Sequence, residues 1–149
     1  MDSRRQIERS LTMRMAPVAR AWRQLADRAL ASLGVSESAA RAIAYLDRLG
    51  PDTRQGDLAR AIGIAEPSLV RTLQQIERAG LIVRVADDDD RRANRLRLTA
   101  QGADLAGRID ECLAAERARL LAGFDDSELR LAVRLLETMA SRISEGLGR

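Results

Sequence analysis

A chain of 149 residues with 25 basic and 22 acidic side chains, no His and one Cys has the size of one domain, and its net charge of +3 sets only a slight basic balance. Without His there is no His-activated nucleophile and no Cys/His metal cluster, and no glycine-rich phosphate loop occurs, so no enzyme, no cofactor and no metal site are expected. The lone Cys, the lack of a signal-peptide core and the absence of a run near the roughly 20 apolar residues of a membrane span point to a cytoplasmic protein without a membrane partner.

Charge is unevenly placed. Residues 1–33 hold seven Arg against three acids, residues 100–149 seven Arg against nine acids, and residues 64–99 seven Arg against six acids. A nucleic-acid site must therefore rely on the placement of a few arginines rather than on a broad field.

In chain order, Ile7, Leu11, Met15, Val18, Trp22, Leu25, Ala29 and Leu33 step by three or four and predict an amphipathic helical arm, which Pro17 should kink or whose true start it should mark. A second helix is expected over Ser36–Tyr45. Asp57–Ile62 reads as a short amphipathic helix that stops at Gly63. Glu66–Gly80 follows, with Pro67 in the first turn, where its missing N–H costs little, and a glycine at the end. Leu69, Leu73 and Ile76 fall on one buried stripe with Val70 beside it. Ser68, Arg71, Thr72, Gln75 and Arg78 project from the other face and carry groups able to bond base edges or phosphates.

Leu81–Val85 and Arg95–Thr99 read as two strands around the tip Asp87–Asn94, with Leu96 and Leu98 facing in and Arg95 and Arg97 facing out. A long helix after Thr99 carries Ala106, Ile109, Leu113, Leu120 and Phe124, and Asp125 with Glu128 forms a capping box for a last helix whose Leu129, Val133, Leu136, Met139 and Ile143 share a face. The fold class is mainly α with a small β wing: a winged helix-turn-helix over 34–102 with dimerisation helices at 1–33 and 103–149. The apolar stripes at both ends exceed what a small winged core buries, so a two-fold homodimer is expected, with an intramolecular helical lid as the alternative.

The run Ala61-Ile62-Gly63-Ile64, Pro67–Leu73, Gly80-Leu81-Ile82, Asp90-Arg91-Arg92 and Leu98-Thr99 followed by Gly102 resembles the winged helix-turn-helix of the MarR family of bacterial regulators, and most of all its SlyA-like branch. The resemblance covers about Val18 to Met139. It implies a dimeric transcriptional regulator, repressor or counter-silencing activator, that binds double-stranded DNA at a pseudo-palindromic operator and responds to a small aromatic or other anionic effector.

The DNA-contact candidates are Pro67, Ser68, Arg71, Thr72, Gln75, Arg78, Arg91, Arg92 and Arg95. Arg71, one turn into its helix, suits a bidentate contact to guanine, with a phosphate contact as the alternative; Pro67 and Thr72 suit thymine methyls; Arg78 suits backbone or an acid. The resemblance places Arg92 in the minor groove, Arg91 on phosphate and Asp90 as their brace. Asp87, Asp88 and Asp89 are expected on a solvated loop, where they repel phosphates.

The resemblance also puts an effector between the first helix and the winged domain. Arg20, Trp22 and Arg23 match the first-helix part, Arg20 and Arg23 as carboxylate partners. Ala40 and Ala44 stand where the branch carries an aromatic and a His, so the pocket is either larger or filled, and Trp22 is alternatively a core or dimer anchor. Cys112 is expected to be a small buried hydrophobe, with a redox-responsive thiol as the alternative. A sequence-tolerant architectural DNA binder is the other class of function.

Overall fold

In the computed structural model, which describes residues 3–90 and 94–147, Ser3 opens the first helix: its hydroxyl accepts from the Gln6 N–H and the Gln6 side chain accepts from the Ser3 N–H at 2.8 Å. This reciprocal cap starts α1 (Arg4–Leu30) well before Pro17, which lies inside the helix and does not mark its start. A 3-10 turn (Ala31–Leu33) and left-handed Gly34 lead to α2 (Glu37–Leu49), whose first turn is capped by the Ser36 hydroxyl and whose Glu37 N–H donates to Asp27 on α1 at 3.1 Å.

Then come β1 (Thr53–Arg54), α3 (Gln55–Ile62), α4 (Glu66–Arg78), β2 (Ile82–Ala86), β3 (Asn94–Leu98), α5 (Ala100–Leu120) and α6 (Asp126–Leu147). The α3–α4 turn depends on Gly63. At φ 79° it occupies the left-handed region, donates to the Ala59 and Arg60 carbonyls, and lets Ile64 donate back to Ala59 at 3.0 Å. Gly80 (φ 74°) ends α4 in the same way, with the Leu81 N–H donating to Ile76 at 3.0 Å.

The sheet has three strands where the sequence pattern showed two. Its order is β1-β3-β2, all antiparallel, with Thr53 opposite Leu96 and Ile82 opposite Leu98. Central Leu96 is fully buried, Leu98 is half-buried and Arg97 is exposed, which is the alternation expected of β3.

Two compact units divide the chain at Ala115. In the first, one core gathers Ala26 and Leu30 from α1, Ile43 and Leu46 from α2, Leu58 from α3, Leu69, Leu73 and Ile76 from α4, Ile82 and Leu96 from the sheet, and Leu105 and Ile109 from α5. Ala39, Ala40, Ala42, Ala59 and Ala106 are buried among them, so backbones approach closely where large side chains are few. The second unit holds the end of α5 and all of α6. Asp125 and Glu128 form the expected capping box, Glu128 donating its N–H to Asp125 Oδ1 at 3.0 Å and accepting from the Asp125 N–H at 2.8 Å. Hydrogen bonds from Ser127 and Glu128 hold the Asp125 carboxyl below its usual pKa. Phe124 is not on the long helix. It follows Gly123 (φ 89°) in the turn to α6 and is exposed.

Candidate nucleic-acid interface

On α4 the apolar stripe and the polar face separate as the periodicity required. Leu69, Leu73 and Ile76 are at most 1% exposed, while Pro67, Ser68, Arg71, Gln75 and Arg78 are exposed and Thr72 is half-buried beside them. None of Ser68, Arg71, Gln75 or Arg78 is tied to a described residue by a side-chain hydrogen bond or ion pair. Their donors point to solvent from a helix pinned to the core along its opposite side. Such a row can exchange water for base edges or phosphates without breaking an internal contact.

The wing behaves differently, because its described arginines are already engaged. Arg84 donates to Glu77 at 3.1 Å and to Gln55 at 3.1 Å, which ties β2 to the end of α4 and the start of α3. Gln55 in turn donates to Glu66 at 3.2 Å, so both ends of α4 belong to one polar network. Arg97 grips Asp52 Oδ1 through two nitrogens at 2.8 and 2.6 Å, and Asp52 itself sits at φ 67° in the turn before β1.

The expectation for the acidic tip is corrected at Asp87. Its residue is 2% exposed, the side chain faces inward, and the carboxylate is shared by two arginines. Oδ1 accepts from Arg95 Nη2 at 3.2 Å and from the Asp89 N–H at 3.0 Å. Oδ2 lies 2.9 Å from Arg54 Nη2 and 3.2 Å from Arg95 Nε, ion contacts without hydrogen-bond alignment that leave this buried oxygen with charge partners only. Asp88 and Asp89 are exposed, as expected of a solvated loop. Arg95 is thereby turned from an outward contact into a half-buried partner of Asp87. Arg91 and Arg92 lie outside the described residues.

The hydrogen bond from Arg95, the Asp89 N–H and the nearby Arg54 charge hold the Asp87 carboxyl at about 2. A lowered folded-state pKa gives stability that is fully present above the unfolded value of about 3.9 and is lost as pH falls through about 2. Acid unfolding of the full chain followed by circular dichroism should therefore show a limb between about pH 4 and 2 that Asp87→Asn flattens, whereas Asp88→Asn leaves it in place.

The effector candidates are spread out. Trp22 is half-buried and packs on the core; Arg20 and Arg23 are exposed on α1; Ala40 is 2% exposed in the core and Ala44 is exposed. A cleft of about 330 Å³ between α1 and the start of α2 is lined by Arg23 with Gln24, Asp27 and Ser36–Ser38. Cys112 is half-buried and its thiol donates to the Ala29 carbonyl at 3.0 Å. Among the described residues no group of three or more Cys, Asp or Glu is placed to hold a metal, and no helix is long and apolar enough to cross a membrane.

The sequence profile of the MarR family matches residues 33–93. The transcriptional regulator PA3341 is 32% identical, with a TM-score of 0.80 over 91% of this chain and 98% of that one. The chain belongs to the MarR family. Its fold also matches a MarR family regulator from Listeria monocytogenes solved with a 26mer DNA (TM-score 0.82, 18% identity, 91% of this chain and 89% of that one). NadR in complex with 4-hydroxyphenylacetate matches at TM-score 0.79 and 26% identity over 87% of this chain and 92% of that one. With the exposed polar row on α4, membership makes the chain a DNA-binding transcriptional regulator of winged helix fold.

Proposed function

We propose that this MarR family protein binds a pseudo-palindromic operator as a two-fold dimer, with α4 of each subunit in the major groove and half-sites roughly 34–36 Å apart. The observation that carries the reading is the row Ser68, Arg71, Gln75 and Arg78, exposed and without side-chain partners among the described residues, on a helix whose other face is fixed. Arg71 makes the bidentate guanine contact, Ser68 and Gln75 read neighbouring edges, Pro67 and Thr72 meet thymine methyls, and Arg78 meets backbone. Arg92 enters the minor groove and Arg91 a phosphate, as the family resemblance implies.

Arg71→Ala should cost about 1–3 kcal/mol per half-site and relax preference at one base position. The measurement is competition binding of every single-base variant of the tightest duplex recovered from a randomised library. Equal loss on every sequence would reassign Arg71 to phosphate.

Dimerisation is supported by apolar faces left open at both ends of the chain. On α1 Ile7, Leu11 and Val18 are exposed, and on α6 Val133, Leu136 and Ile143 are each more than half exposed. The helices 1–33 and 103–149 are the dimerisation segments of this proposal, although the buried Ala26, Leu30, Leu105 and Ile109 serve the winged core as well. Regulation takes the form of repression or counter-silencing in the cytoplasm.

A small aromatic or other anionic ligand acts beside Arg20, Trp22 and Arg23, as the SlyA-like likeness of that run and the NadR ligand suggest. The cleft at Arg23 favours this, and the filling of the α2 side by core packing at Ala40 limits it to a site on the α1 side. Trp22 is the sole tryptophan, so its emission reports such binding. Unchanged emission and unchanged DNA affinity with 4-hydroxyphenylacetate and salicylate would remove aromatic acids as effectors.

A further inference from the structure

Among the arginines at the base of the wing, Arg54 is held differently from the others. Arg84 and Arg97 are each committed to acceptors on two or more hydrogen bonds, and Arg95 is folded onto Asp87. Arg54 meets Asp87 Oδ2 through Nη2 at 2.9 Å, while 49% of its side chain stays exposed. Two guanidiniums on one carboxylate leave an excess positive charge. Asp89, 3.9 Å from Arg95 and 85% exposed, offsets little of it in water.

The exposed part of Arg54 lines an open cleft of about 460 Å³ together with Gln55, Gly56, Glu66, Arg84 and Asn94. Those residues belong to the start of α3, the first turn of α4, the middle of β2 and the first residue of β3. The cleft therefore separates the recognition helix from the wing. A duplex gripped by both must lay a sugar-phosphate strand across it. Of the cleft's acids, Glu66 is held by Gln55 at 3.2 Å, and Asp57, which lines the cleft together with Arg60, is held by that arginine at 2.9 Å, so each already has a donor.

We propose that Arg54 is a DNA-phosphate contact in this cleft and that the buried carboxylate of Asp87 is the positioning residue that holds its guanidinium there. The proposal rests on the DNA-binding reading above. A phosphate contact gains from a cation whose place is already set, and a carboxylate that is itself buried and held by the Asp89 N–H anchors the Arg54 charge at the cleft through the 2.9 Å ion contact. Phosphate contacts fix register and carry no base information, so the effect of Arg54 falls equally on all sequences.

The test uses the full-length protein, the tightest duplex from a randomised library and a scrambled duplex of the same length, each titrated across a chloride series. Arg54→Ala should weaken both duplexes by the same factor and reduce the slope of log K against log salt by about 0.9 per subunit. Arg54→Lys keeps the charge and should restore the slope but only part of the affinity. Asp87→Asn should also weaken binding, with the slope kept, although it removes a negative charge near DNA; simple charge repulsion requires the opposite sign.

An unchanged slope for Arg54→Ala, loss confined to the selected duplex, or tighter binding by Asp87→Asn would overturn the proposal. If Asp87→Asn fails to fold, the half-exposed Arg54 variants decide alone. Inorganic phosphate should compete with DNA only as much as chloride at equal ionic strength; stronger competition lost in Arg54→Ala would make the cleft a free-anion site and overturn the DNA contact. Wild-type protein that binds both duplexes equally would remove the operator reading, while the slope would still decide Arg54.

Discussion

Deleting residues 126–149 should convert the protein to a monomer and abolish high-affinity operator binding in the same step. The α6 segment carries Leu131, Val133, Leu135, Leu136 and Ile143 between 42% and 56% exposed. An isolated chain gains nothing from these side chains, whereas covering each on a second subunit is worth on the order of 1 kcal/mol or more. The core that fixes α4 draws on residues up to Ile109, so the deletion leaves its packing partners in place. The truncated protein loses the α6 helix but should keep the helices of the winged unit and the exposed polar row of α4. A monomer then has one recognition helix, and the free energy of the second half-site is lost, which appears as orders of magnitude in affinity because the two half-sites no longer share one binding event. Sedimentation velocity and binding to the selected duplex check the two parts separately. A truncated protein that still sediments as a dimer would place the interface elsewhere, with α1 and its exposed Ile7, Leu11 and Val18 as the remaining face.

The recognition helix was legible in the sequence because everything that defines it is local. Gly63 and Gly80 supply left-handed stops, Pro67 sits in the first turn, and the stripe Leu69, Leu73, Ile76 repeats at helical spacing. The Asp125–Glu128 cap was legible for the same reason. What escaped depends on partners distant in sequence. A two-residue strand has no period to detect, and β1 exists because Thr53 and Arg54 find Leu96 and Arg95 across the sheet. In the sequence Asp87 is one of three equivalent acids, yet Arg54 and Arg95 converge on its carboxylate and bury it. Period-two alternation correctly sent Arg97 outward, but half-buried Arg95 yielded to the charge of Asp87. The one signal available was the position of Asp87 immediately after a strand, with a Thr-Arg pair following a Pro-Asp turn upstream.

Gly102→Ala should strongly destabilise the winged unit although it alters no exposed side chain of α4. A Cβ at Gly102 would lie 2.0 Å from the Leu81 carbonyl oxygen, 3.0 Å from its carbon and 3.2 Å from Leu98 Cδ2. That oxygen cannot simply turn away, because it accepts from the Thr99 N–H at 3.0 Å. Thr99 in turn donates its hydroxyl to the Gly80 carbonyl at 2.7 Å and accepts from the Gly102 N–H at 3.0 Å, so the end of α4, the end of β3 and the start of α5 share one knot of backbone. A methyl group forced into it must displace backbone rather than the flexible end of a side chain. Overpacking of this kind costs about 3 kcal/mol, and for a chain of this size that lowers Tm by roughly 10 °C. Gly107→Ala in the same helix is the control: its Cβ would meet nothing within 4 Å, so relief of glycine's entropy cost should stabilise by about 0.5–1 kcal/mol. Because Leu81 also ends α4 through its N–H to Ile76, the strain should reach the recognition helix. Folded Gly102→Ala protein held well below its Tm should therefore bind the selected duplex more weakly than Gly107→Ala protein. Equal melting temperatures for the two variants would show that the knot yields without cost and would remove this coupling between α5 and α4.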